Sequence, residues 1–197
     1  APGRLEPAAQ VLFGCTMMPG RMIAPGHVAT QGNGAAVFRG FTDVATDFAN
    51  SAEINAGVFT LRHSEETDQI IWQKAAFNCA MNACAALTGA RVGELVNGEG
   101  MKSLLFAVSA EVVALANSRG VAVDAIAVRE QIEHALAHHT EHKPSMLQDI
   151  EAGRETEIES LSGEVARLAD GAGVAAPLNT ALAALVRQKS ISARAGR

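Results

Sequence analysis

Between Ala75 and Leu87 the sequence reads AAFNCAMNACAAL, with Asn78 and Asn82 as the only polar side chains. A helix that is apolar on every side must be wrapped by other elements, so this stretch commits the chain to a core built around one buried helix. Lys74 extends the polar series, so that Lys74, Asn78 and Asn82 recur every four residues. At about 100° and 1.5 Å per residue, the three fall within an arc of roughly 80° over about 12 Å of helix. They lie beside a stripe made by Ile70, Phe77, Met81 and Cys84. Buried amides and ammonium groups are costly without partners, and a row of three implies a polar cleft. Two readings stay open on spacing alone. The amides could bond a neighbouring loop while Lys74 extends to solvent, or the row could bind a ligand. One ammonium and two amides suit a small anion carrying an oxygen that must be protonated, because a partly desolvated lysine gives up its proton more readily near neutrality.

The remainder supplies the wrapping. From Ser64 onward the pattern is helical: Ser64 caps a first helix with Glu65 and Glu66 in its first turn, and Gly89 stops it. Further helices are predicted over about 101–118, ending at Gly120, and over 124–139. Ser145 with Gln148 and Thr156 with Glu159 have the capping-box spacing, before helices ending at Gly153 and near Gly171. Pro177 opens a last helix to about Lys189, leaving ISARAGR as a frayed tail. Before residue 63 the texture is different. Short apolar runs (VLFGCTMM, MIAPGH, HVATQ, AAVF, GVFTLR) read as strands, Gly32-Asn33-Gly34 as a hairpin loop, and 43–55 as a helix. The expected division is 1–63 and 64–197.

Composition excludes several classes. The chain has 197 residues, 48% hydrophobic and 19% charged, with net charge −5 and scattered Lys and Arg. That argues against disorder, and against nucleic acid or an anionic membrane as partner. Asparagines and Glu111 interrupt the longest apolar runs, so no membrane span is expected. The opening APGRLEPAAQ does not read as a signal peptide, and the expected location is the cytoplasm. Cys15, Cys79 and Cys84 have no metal-ligand spacing and read as reduced thiols, the latter two buried.

Other features compete for attention. His134, His138 and His142 have ligand spacing on a helix face, but without HExxH or a nearby cysteine they read as a solvated helix end, and no metal is expected. Gly32-x-Gly34 lacks the third glycine of a dinucleotide fingerprint, since Val37 stands there. In KPSMLQDIEAGRETEIE, residues 143–159, Ser145 has a plain reading as an N-cap and Glu157 as a helix-start charge, while Arg154, Asp149 and Glu151 suit a solvated network. What sets the segment apart is a polar, turn-rich loop between helices, able to face the Lys74 cleft.

IWQKAAFNCAMN with GEL at 93–95, then KPSMLQDIEAGRETEIESLSGEV and GVAAPLNTALAALV, closely resembles the C-terminal domain of the ketopantoate reductase (2-dehydropantoate 2-reductase) family. The upstream VLFGCTMMPGRMIAPGHVATQGNG looks like closing strands of that family's dinucleotide-binding domain, and the resemblance covers about residues 10–188. It implies an α+β chain: a remnant of an α/β Rossmann-type domain followed by an all-α domain like the C-terminal domain of 6-phosphogluconate dehydrogenase. It implies NADPH-dependent hydride reduction of ketopantoate to pantoate, toward pantothenate and coenzyme A. Lys74 would be the general acid, Asn78, Asn82 and Ser145 would bind substrate, and Glu157 would bond a ribose hydroxyl. Gly20 would lie in a strand-end loop near the cofactor. The partner is then a small 2-keto acid, and a homodimer is left open.

The chain departs from the family pattern as well. The glycine-rich opening half is not in these 197 residues. Where some members of that family carry an asparagine shortly before SMLQDI, this chain has His142, and where another substrate-contacting asparagine would stand one residue before GEL, it has Val92. A paralogous reductase of another 2-keto acid, or a non-catalytic helical dimerisation module, therefore stand as alternatives. Residues 1–197 alone are expected to bind NADPH weakly and to show no turnover; micromolar affinity in a fluorescence titration would contradict this.

Overall fold

The computed structural model describes residues 11–16, 20–30, 34–40, 54–56 and 59–196. The chain divides into two compact units, 1–71 and 72–197.

The first unit is built on strands. They are β1 (Leu12–Thr16), β2 (Gly20–Ala24), β3 (His27–Thr30), β4 (Gly34–Gly40), β5 (Ile54–Ala56) and β6 (Phe59–His63). One sheet has the order β1-β4-β6-β5, with β4 and β6 parallel and the other pairs antiparallel. In β4 the consecutive residues Ala36, Val37 and Phe38 are all buried, as expected of a central strand covered on both faces. Gly14 of β1 lies against β4 so closely that a Cβ there would sit 2.2 Å from the Val37 carbonyl oxygen. β2 and β3 form a separate hairpin, turning at Pro25 and Gly26, whose φ of +76° is one that glycine adopts without strain.

Two sequence expectations fall largely outside the described residues. The hairpin proposed at Gly32-Asn33-Gly34 falls mostly outside the described residues, and the strands on either side of it, β3 and β4, belong to different sheets. The helix expected over 43–55 also falls outside them, except that Ile54 and Asn55 lie in β5.

The helix that organises the second unit starts in the first. Helix α1 spans Thr67–Thr88, three residues later than its expected cap. Ser64 instead shapes the turn ahead of it: its Oγ accepts the Glu66 N–H (3.2 Å), and Thr67 Oγ1 donates to its carbonyl (2.6 Å). Asp68 carries the acid in the first turn. It accepts both Nε and Nη2 of Arg39 (3.1 and 2.6 Å), a bidentate pair that fixes the start of the helix to β4.

Then follow a 3₁₀ turn at Val92–Asn97, α2 (Met101–Ser118), α3 (Ala125–His138), α4 (Ser145–Glu151), a 3₁₀ turn at Glu157–Ser160, α5 (Ser162–Ala172) and α6 (Pro177–Ala195). The buried core runs through α1, where Ala76, Ala80, Ala83, Ala85 and Ala86 have no exposed surface. Gly89 (φ +76°) stops α1 where expected. α5 ends at Ala172, next to the expected Gly171. The left-handed residue is Gly173, with its N–H on Asp170 and the Val174 N–H on Ala169 (3.2 and 2.9 Å), the pattern of a Schellman cap.

Both predicted capping boxes fail. Pro144 precedes α4 without a side-chain cap, and Gln148 Nε2 donates to the Lys143 carbonyl (2.8 Å). Thr156 makes no capping bond, and Glu159 is taken by Arg187 (2.6 and 3.0 Å), which holds its carboxyl below the usual range. The tail beyond Lys189 is not frayed but helical to Ala195.

The expectation of no membrane-length run is also corrected. By length and composition alone, Met101–Ser118 is apolar enough to cross a bilayer. In the fold it is a core helix, with Leu105, Val108, Val112, Leu115 and Ala116 fully buried. Glu111, its one acidic residue, is used within the fold. Its carboxylate accepts the N–H groups of Leu178 and Asn179 (2.8 and 2.9 Å) and Asn179 Nδ2 (2.8 Å), capping α6 from a different helix. A negative charge at a helix N-terminus satisfies donors that the helix cannot. Glu111→Ala is expected to lower unfolding free energy by about 2–3 kcal/mol, with Glu111→Gln intermediate. Urea denaturation reads this, and a loss below about 0.5 kcal/mol would remove Glu111 as the anchor of α6.

Candidate functional site

On α1, Asn82 is 7% exposed, while Lys74 and Asn78 are partly buried. Neither asparagine side chain hydrogen-bonds to another described residue, so two amides in the most buried helix keep their donors and acceptors uncommitted. That disfavours the reading in which they serve a neighbouring loop.

Ser145 and Glu157, twelve residues apart in sequence, come together. Ser145 Oγ, on the first residue of α4, donates to Glu157 Oε1 at 3.4 Å. Glu157 opens its 3₁₀ turn, and both side chains are exposed. The same carboxylate is near enough to α1 to act on Cys79, the residue after Asn78. Gly20 is the first residue of β2, paired with Thr30, and belongs to the first unit; it lies in a strand rather than in the strand-end loop expected.

Cys79 and Cys84 back the polar row from the core, and both are free thiols. Burial pushes Cys79 up to about 12. The fully buried Ser162 hydroxyl pulls the other way without reaching hydrogen-bond geometry, and the Glu157 carboxylate adds to the rise. Burial alone raises Cys84 to about 11. Neutral thiols of this kind are packing groups rather than nucleophiles.

The histidines divide. His134 and His138 sit one turn apart with ring centroids 4.5 Å from each other, and the His139 ring is 5.5 Å from His134. α3 ends at His138, so His142 does not continue that face. Its backbone instead meets the GEL segment: the Val92 N–H donates to the His142 carbonyl (3.0 Å). The two positions that depart from the family pattern are thus joined through the main chain. Partial burial lowers the His142 pKa, and the neighbouring His139 lowers it further. The expected Arg154–Asp149 pair forms (2.8 Å), whereas Glu151 pairs with Lys143 (2.9 and 2.6 Å).

Sequence reasoning missed Glu111 and Ser162. Glu111 carried a usable signal, a lone carboxylate in an apolar helix, the same kind of signal that the asparagines give. Ser162 carried none, because its burial depends on α1.

The family model for the ketopantoate reductase PanE/ApbA C-terminal domain matches residues 66–190. The chain belongs to the ketopantoate reductase family. It is 31% identical over 184 residues to a 2-dehydropantoate 2-reductase of Halobacterium salinarum, a match covering 92% of this chain and 60% of that protein. Among solved structures it is similar to a D-mandelate dehydrogenase in a ternary structure with NADH and anilino(oxo)acetate (TM-score 0.83, 25% identity, 92% of this chain and 60% of that one). It is also similar to a PanE/ApbA family ketopantoate reductase from Ralstonia eutropha JMP134 (TM-score 0.78, 28% identity, 93% and 60%). The chain thus spans about 60% of the length of these relatives.

As a member of this family the chain presents two thiols built into the back of α1, and they give a direct check on its burial. At pH 8 the thiolate fraction is roughly 10⁻⁴ for Cys79 and 10⁻³ for Cys84, so iodoacetamide should label only Cys15 of the three in folded protein, and all three in denaturant. Both thiols have folded pKa values raised above the ordinary 9.0. Their contribution to stability is complete below pH 9 and drains away as pH rises through 11 and 12. Rapid labelling of Cys79 in native protein would contradict the packing.

Proposed function

We propose that the row on α1, with Ser145 and Glu157, is the substrate and cofactor site of an NADPH-dependent 2-oxo acid reductase, with ketopantoate as substrate and pantoate as product. The observation that carries this reading is the pair of uncommitted amides, Asn78 and Asn82, in the most buried helix of a chain of this family. Amides offer donors and acceptors without charge, which suits holding a carboxylate and a hydroxyl beside a reacting ketone. Lys74, one turn before Asn78, is the proton donor in this reading. A ketone that accepts a hydride at carbon needs one proton at oxygen, and an ammonium supplies it. Ser145 contacts the substrate through its hydroxyl. Glu157 has capacity for a ribose hydroxyl, since a carboxylate has about four acceptor positions and Ser145 takes one. The nicotinamide, when bound, supplies the hydride. Gly20 is assigned to the cofactor on resemblance alone.

A second reading keeps the chemistry and changes the acid. The solved structure with the higher TM-score of the two described is a D-mandelate dehydrogenase with an oxoacetate bound. Val92 and His142, the two positions at which the resemblance implies asparagines, are joined by a main-chain hydrogen bond. A 2-oxo acid with a different side chain fits these facts.

In the intact protein carrying this chain, Lys74→Ala should lower kcat by roughly 10²–10⁴ while the fold is retained. An unchanged kcat would remove Lys74 as the acid and favour a non-catalytic role for the helical unit. Comparing kcat/KM for ketopantoate with that for aryl and branched 2-oxo acids separates the two substrates: a preference of tenfold or more (about 1.4 kcal/mol) for an aryl acid selects the second reading.

A further inference from the structure

Resting on the site assignment just made, we infer that Gly93 is a positioning residue for Ser145, acting through a main-chain crossing between the GEL turn and the loop that leads into α4. One side of the crossing is rigid. Val92 and Leu95 are each 2% exposed and belong to the core that encloses α1. The turn is braced from outside as well, because the Arg91 N–H donates to Glu94 Oε2 (2.6 Å).

The other side is the segment from His139 to Pro144. It lies across the turn with the Val92 N–H on the His142 carbonyl and the Gly93 N–H on the Thr140 carbonyl, both at 3.0 Å. An Arg91–Glu141 ion pair closes the solvent side. The approach is closer than any side chain permits. A Cβ on Gly93 would stand 2.5 Å from Thr140 Cβ and 2.7 Å from Thr140 Cα. Since a backbone atom is among those contacts, no rotamer change relieves them. The loop would have to move by about 1 Å to reach ordinary contact.

Such a shift has little slack to absorb it before Ser145. The His142 carbonyl is held by Val92, the Lys143 carbonyl by Gln148 Nε2 (2.8 Å), and the Pro144 carbonyl by the Gln148 N–H (3.1 Å). Pro144 is itself buried, and Lys143 is paired with Glu151 inside α4. A displacement at Thr140 therefore passes along a tied segment to the residue that opens α4. At Ser145 it changes the geometry of the hydroxyl, whose bond to Glu157 is already long at 3.4 Å. Gly93 thus couples the C-terminal end of α1, the helix carrying Lys74, Asn78 and Asn82, to the loop that carries Ser145.

Misplacement of a positioning contact by about 1 Å can cost on the order of 10²-fold in efficiency. Ser145 is assigned to binding rather than proton transfer, so the loss should appear mainly as a raised KM with kcat held within a few-fold. The test is steady-state reduction of the preferred 2-oxo acid by the intact protein, comparing wild type, Gly93→Ala, Ser145→Ala and the double variant. Positioning through Ser145 predicts strong non-additivity: Ser145→Ala adds little once Gly93 is replaced. Should Gly93→Ala fail to fold, Arg91→Ala loosens the same crossing from its exposed side. It should raise KM by a few-fold and show the same non-additivity with Ser145→Ala. Unchanged KM in the folded variant, or effects that simply multiply, overturn the inference while the site assignment stands. A wild-type protein that reduces no 2-oxo acid overturns the site assignment, and the inference with it.

Discussion

Everything in the helical unit depends on α1 being enclosed, and it can be enclosed because its side chains are small. Five alanines with no exposed surface let neighbouring backbones approach closely, with little side-chain entropy lost on burial. Bulk is concentrated at Met81 instead. The arrangement leaves no room for polar groups by accident. Each polar atom on such a helix is either matched or waiting, and Asn78 and Asn82 are unmatched among the described residues.

A second layer of the structure consists of carboxylates used away from their own elements. Asp68 at the start of α1 grips Arg39 of β4. Glu111 in α2 caps α6, Glu159 holds Arg187 of α6, and Glu157 receives Ser145. The exposed pairs contribute little to stability on their own. Glu111 differs because its partners are backbone N–H groups at a helix end, which no other described group satisfies. These contacts set where elements lie, whereas the alanine-lined core sets that they pack at all.

What could be read from sequence follows the same division. The extent of α2, the stop at Gly89 and the placement of Lys74, Asn78 and Asn82 on one side of a buried helix all depend on local periodicity and on glycine. The failures are choices of hydrogen-bond partner. Gln148 had the spacing for Ser145 but turned to the Lys143 carbonyl, and Glu159 had the spacing for Thr156 but met Arg187, 28 residues along. A capping motif states what a side chain can reach, while the fold decides which competitor is nearer. The strands fared likewise, since Gly32-Asn33-Gly34 says nothing about β4 pairing with β1 and β6 rather than β3. The placement of Lys74, Asn78 and Asn82 on α1 was legible, whereas the Ser145–Glu157 bond was not, because it joins the starts of two elements twelve residues apart.

The link between Glu111 and α6 also bears on how the chain is made. Leu178 and Asn179 follow Glu111 by 67 and 68 residues. At synthesis rates of about 5–20 residues per second, that separation lasts roughly 3–14 seconds. During that interval α2 is an 18-residue segment with the hydropathy of a membrane span, its single carboxylate without the helix it will cap. The one carboxylate of this apolar stretch thus meets its helix-end partners only once the last helix has been made.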